Sequence, residues 1–375
     1  MDLRRGGWWL AVVAVLCGCG APQLSSSTGP AGRAEDGWER LPEAPLSGRT
    51  GAHVTAVGDR VLVVGGWAFL CPPGADCSGP DEPPMSDGAI FDPASGTWQP
   101  VADAPFGFHG GESAVVGVDV YLATSCRDDS YCYGRSELLR YDISADQWEE
   151  LGPMPRGLQD AQLVAVNDGL LAAPTTDENG ETADHLYDVD AGTWESLPDD
   201  PLESAYDRHV VVDDDRVLIF GSTIDGDGEQ DKMGAALDLA SRTWRRLPDS
   251  PGSGYQVWRM GDEAWLNPHY SDGGGVLDLR DDTWRGFPDD PFGLSWEGDM
   301  AGLLGHGEAI YEYDAGWVRD TRSNEWLHVP ERPGTDYDES LTAVGDTLLV
   351  FGGQRWEDDE GELLSETWVW RPPEA

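Results

Sequence analysis

A tryptophan followed three residues later by an apolar residue, and seven later by a proline, occurs seven times in this chain. The sets are Trp38/Leu41/Pro45, Trp98/Val101/Pro105, Trp148/Leu151/Pro155, Trp194/Leu197/Pro201, Trp244/Leu247/Pro251, Trp284/Phe287/Pro291 and Trp326/Val329/Pro333. Six residues before every tryptophan but the first stands an aspartate: Asp92, Asp142, Asp188, Asp238, Asp278 and Asp320. Successive tryptophans are 40 to 60 residues apart. Such a period marks a supersecondary unit that cannot bury its faces alone and stacks on copies of itself.

Each unit reads as strands. Short apolar runs such as "RVLVVGG", "RVLIF" and "TLLVFGG" are rich in Val, Leu and Phe, and glycine stops each of them. The 48 glycines and 17 tryptophans suit a turn-rich β protein. Four strands are expected per unit, the third ending near the aspartate and the outermost carrying the tryptophan. The carboxylate can accept hydrogen bonds from N–H groups two or three residues on, which suits the start of a hairpin. The indole offers a large apolar face to the neighbouring unit, and the proline fixes the turn into the next.

These features resemble the kelch family. The double glycines Gly65-Gly66 and Gly352-Gly353, the pairs Tyr141-Asp142 and Tyr187-Asp188, and the spaced tryptophans carry the likeness over residues 37–371. It implies an all-β fold, a seven-bladed kelch-type β-propeller. The double glycine is replaced by Ala172-Ala173 in the third unit and has no clear counterpart in the sixth, so irregular second strands are expected there. The last unit ends on "SETWVWRP" without an outer strand, and "DGWERLP" at the other end can supply it. The ring is then closed by an N-terminal outer strand, which removes an exposed edge. Residues 372–375 form a tail.

The chain begins with Arg4 and Arg5, an apolar run from Trp8 to Leu16, and then small residues. Residues 1–18 therefore read as a signal peptide, the run being too short for a stable transmembrane anchor. Leu16-Cys17-Gly18-Cys19 resembles the bacterial lipobox, which implies lipidation of Cys19 after cleavage; an ordinary secreted protein cut nearby is the alternative. Residues 19–36 then comprise the lipidated cysteine and a Gly/Ser/Pro/Ala-rich tether. The expected location is extracytoplasmic, on a bacterial cell membrane, with membrane contact only through the lipid. The net charge is −46, and Lys232 is the sole lysine. Nucleic acid is excluded as a partner, because binding it requires clustered cations. The charge reads as a solubilising surface or as an attraction for cationic partners.

Length varies most in the loops between second and third strands, at 67–87, 125–136, 174–183, 222–233 and 354–364. These share one rim, where binding is expected. Cys71, Cys77, Cys126 and Cys132 lie in two of them. In an oxidising compartment they read as local disulfides Cys71–Cys77 and Cys126–Cys132, with cross-pairing or a four-thiolate metal site as alternatives. Near the channel mouth, Arg49, His53, His109, Asp160, Arg208, His209, Tyr255, Trp296 and Tyr337 are candidates for holding a sugar or small polar ligand.

No metal site, cofactor or catalytic residue is assigned. Calcium has oxygen ligands at alternate positions in Asp177/Asn179/Glu181 and Asp225/Asp227/Asp231, but neither stretch completes a twelve-residue loop. The seven histidines are too scattered for the copper site of galactose-oxidase-like propellers. The leading reading is a scaffold that binds a cell-surface protein or glycan. The alternative, implied by the resemblance, is a carbohydrate-active enzyme of sialic-acid mutarotase type. There Glu297 or Asp338 beside Arg49 or Arg208 would serve as acid and base.

Overall fold

The computed structural model describes residues 37–371 except 76, 78, 80–81, 125–135, 159–160, 178–181, 203, 225–229, 253, 269–273, 288–299, 305–308, 313–316, 321–324, 331, 333–335, 345–346 and 358–359. Two compact units divide the chain at Pro30 and Ala31, and every described residue belongs to the second. Its described elements are all strands, arranged as seven four-stranded antiparallel sheets and one three-stranded sheet.

The first sheet runs His53–Val57, Arg60–Val64, Gly88–Asp92 and Thr97–Val101, each strand pairing with the next. The same order recurs in five more sheets, ending with Glu325–His328. In all six the third strand ends on the repeat aspartate. Its carboxylate accepts the expected N–H groups: Asp92 from Ala94 at 2.8 Å, Asp142 from Ser144 at 2.8 Å, Asp188 from Ala191 at 2.9 Å. These bonds to the charged form hold Asp92 below the usual carboxylate range.

The tryptophan lies opposite the residue preceding the aspartate, as in Tyr141↔Trp148 and Tyr187↔Trp194. Its indole N–H also reaches backward. Trp98 donates to Pro42 O at 3.0 Å, Trp148 to Ala102 O at 2.8 Å, Trp244 to Pro198 O at 2.8 Å and Trp284 to Pro248 O at 2.9 Å. Each acceptor stands four residues beyond the tryptophan of the preceding repeat. Trp38 follows the same rule across the whole chain, donating to Pro330 O at 2.7 Å.

The seventh sheet confirms that closure. Ser340–Val344, Thr347–Phe351 and Thr367–Trp370 are joined by Trp38–Arg40 as the outer strand, with Trp38 opposite Trp370. Apolar clusters fill the junctions between neighbouring sheets. Val61, Val63 and Phe91 of the first meet Leu349, Phe351 and Val369 of the seventh, while Val57 and Leu62 meet Val120 and Leu122 of the second. The fold is a β-propeller of kelch type.

Glycine is required where the second strand turns between two linkers. Gly65 and Gly66 have φ of 71° and 92°, and a Cβ on Gly66 would lie 2.8 Å from Thr50 O. Ala172 and Ala173 do not make the third sheet irregular. Its second strand, Gly169–Pro174, stays in register with both neighbours because alanine packs there without a positive φ.

Candidate interaction rim

The residue after each double glycine faces the same rim: Trp67 in the first unit and Gln354 in the seventh. Trp67 bridges Thr50 through the backbone and stacks on His109, with ring centroids 3.7 Å apart and planes at 11°. Phe69 lies 5.3 Å from the same indole. Two residues on, Cys71 is disulfide-bonded to Cys77 with Cα atoms 5.9 Å apart.

Gln354 holds that loop to the seventh unit. It is buried, and its Oε1 accepts from Cys71 N at 2.9 Å and Trp356 Nε1 at 3.1 Å, while Nε2 donates to Asp338 Oδ2. The three-stranded sheet is built around it from Asp336–Tyr337, Gln354–Glu357 and Glu360–Leu363. The linker entering the first sheet is stitched to the same insertion, Arg49 N donating to Leu364 O and Gly353 N to Arg49 O. Leu70 and Tyr337 are the apolar side chains exposed on these elements, each at 39%.

The candidate residues fall into distinct environments. Arg49 is fully buried and all five of its N–H donors are used. Nε goes to Ser47 O, Nη1 to Gly65 O and Asp87 Oδ1, and Nη2 to Ser47 Oγ and Asp87 Oδ2. Arg208 is also buried, bridging Asp184, Asp200 and the Pro174 carbonyl. Both guanidiniums brace the rim from within. His209 Nδ1 pairs with Gln162 Nε2 at 3.1 Å, and Gln162 Oε1 takes Val210 N at 2.7 Å, linking the fourth sheet to the third.

His53 and His109 keep an Nε2 that is buried and has no hydrogen-bond partner among the described residues. Burial lowers the His53 pKa to about 4 and shifts His109 in the same direction, so both rings are neutral at pH 7. The backbone of Tyr255 lies in the strand Gly254–Met260, but its side chain is outside the described residues. So are Asp160, Trp296, Glu297, Cys19, Cys126 and Cys132. Among the described residues, no three His, Cys, Asp or Glu side chains are grouped to hold a metal, and no helix is long and apolar enough to cross a membrane. Asp87, Asp184 and Gln354 carried no motif of their own. Only the offset of Gln354 from a double glycine could have marked it.

Comparison with known proteins agrees with this geometry. Residues 48–105 match the Kelch motif. The likeness is to kelch repeats, over the first unit. The matched segment contains Arg49, the whole first sheet and the disulfide loop. The Kelch-like protein terF of Aspergillus terreus is 27% identical over 180 residues, covering 44% of this chain. The match spans 38% of that protein's own length.

Proposed function

We propose that this chain is an extracytoplasmic kelch scaffold, anchored through a lipid on Cys19, that binds a protein partner on the rim around the Cys71–Cys77 loop. The observation that carries this reading is the Gln354 clamp. It ties the disulfide loop of the first unit to an inserted hairpin of the seventh, beneath exposed Leu70 and Tyr337. A surface held in place before contact binds with a smaller ordering cost. The disulfide accords with an oxidising compartment. The net charge of −46 favours a partner that is basic around its contact.

The test is site-specific photo-crosslinking in the native host. A photoreactive residue at position 70 should capture one discrete protein, lost on Tyr337→Ser. The same probe at Val118, which is 53% exposed in a turn between the first and second strands of the second unit, should not. Equal products from both positions would refute the rim assignment. Fatty-acid labelling that persists in Cys19→Ser would refute the anchor.

A further inference from the structure

The residue after the hairpin aspartate seals the junctions between sheets. In the second to fifth sheets it is Ile143, Val189, Leu239 and Leu279, and each side chain packs in the apolar cluster shared with the preceding sheet. In the fourth and fifth its N–H also secures the turn between first and second strands, Leu239 to Asp215 O at 3.1 Å and Leu279 to Asp262 O at 2.8 Å. The first sheet has Pro93 at this place. Proline has no N–H to offer the equivalent carbonyl, that of Asp59, and its ring is exposed rather than inserted.

A cavity of about 380 Å³ opens at that junction. Phe91 and Pro93 are among its lining from the first sheet and Leu349 and Val369 from the seventh, and Asp59 and Arg371 are its charged groups. A mostly apolar hollow of this size with a few polar groups suits a small molecule. Arg371 is its one cation. Among the described residues that side chain contacts Glu39 at 3.3 Å, and both are substantially exposed. Such a pair holds a guanidinium weakly, leaving it able to turn to another carboxylate. The comparable hollow between the third and fourth sheets, about 400 Å³, retains Leu239 and sets its one cation, Arg242, among Asp168, Asp188, Asp190 and Glu195, so its lining is net negative and disfavours an anion.

We infer that the junction of the seventh and first sheets binds a medium-chain aliphatic carboxylate, with its chain in the cavity and its head on Arg371. This surface lies on the face opposite the disulfide rim, so the inference is independent of the partner proposed there.

The experiment is calorimetric titration of the full chain with octanoate, run at about 0.15 M salt so that long-range repulsion from the acidic surface is screened. Saturable one-to-one binding is expected. Pro93→Leu restores the side chain of the sister sheets and should weaken binding by about tenfold or more. Its melting temperature should hold or rise, which shows that the fold is intact. Arg371→Gln should weaken octanoate at least several-fold and leave octanol unchanged. No saturable binding by the wild type, or equal binding by Pro93→Leu, would overturn the site. Equal octanoate affinity in Arg371→Gln would overturn the placement of the head group. Self-association that Pro93→Leu abolishes, without octanoate binding, would give the seat to a second copy and also overturn it.

Discussion

Among the repeat tryptophans whose side chains are described, Trp38 should be the most costly to remove. Its side chain is 2% exposed, its ring lies among Val329, Leu348, Val350, Trp368 and Trp370, and its indole holds Pro330 O at 2.7 Å. Truncating a buried tryptophan to alanine costs about 3–5 kcal/mol through lost burial and the remaining cavity. The lost hydrogen bond adds about 1 kcal/mol, because a carbonyl is left without its donor. Trp38→Ala is therefore expected to lose about 4–6 kcal/mol. Trp244 makes the same bond, at 2.8 Å to Pro198 O, but is only half-buried, so Trp244→Ala should lose about half as much. Trp38→Phe retains most of the apolar ring and should cost about 1–2 kcal/mol. Urea unfolding followed by far-UV circular dichroism measures all three, with an unchanged m-value securing the comparison. A loss for Trp38→Ala within about 1 kcal/mol of that for Trp244→Ala would refute the view that the N-terminal strand bears the closure.

Three further outcomes are expected. Arg49→Lys keeps the charge but loses the fork that reaches Ser47, Gly65 and Asp87 together, and should cost about 2–3 kcal/mol in urea unfolding. Asp87 is 44% exposed, so the charge pairing supplies little of that and the stranded backbone carbonyls supply the rest. Lys232 is buried, and desolvation lowers its pKa to about 7 from 10.5. Between those values the unfolded chain binds the extra proton, so this group makes stability rise with pH from about 7 to 10.5. The difference in stability between wild type and Lys232→Met should change with that sign across the window; a difference independent of pH would reject it. Arg242 has φ of 56° at the hairpin position held by Gly96 and Gly192 in other sheets, and its ion pair with Glu195 is exposed. Arg242→Gly should raise stability by about 0.5–1 kcal/mol, read as a higher urea midpoint.

The repeat was legible because its residues act locally and identically in each unit. Asp188 caps its own hairpin, and Trp194 packs on the tyrosine opposite it, so spacing alone reveals both. The closure was legible for the same reason: a missing outer strand at one end matched a spare tryptophan at the other. The rim was legible as a region but not as a set of side chains. Arg49 looked like a ligand-binding group because arginine near a channel mouth has the right chemistry. Nothing in the sequence indicated that Asp87, 38 residues away, would share the work of using up its donors. Gln354 reaches Cys71 across 283 residues, a distance over which no local pattern operates.

Departures from the repeat therefore carry more information about function than agreements with it. A residue shared by all units is explained by the unit. One that breaks the pattern while the fold stays intact needs another cause. The junction of the seventh and first sheets departs on both faces. On the rim it has an inserted hairpin clamped by Gln354 to a disulfide loop. On the opposite face, proline replaces the aliphatic seal found in four sister sheets. Trp38 and the seventh sheet already make this the place where the chain's two ends meet, and its stability rests on an interstrand pairing of three residues. A junction selected only for closure would gain from Leu at position 93, which would add burial and a backbone hydrogen bond together. A hollow alone is no departure, since one of about 400 Å³ persists beside Leu239 between the third and fourth sheets; the departure is the proline, and the change in stability of Pro93→Leu measures its cost.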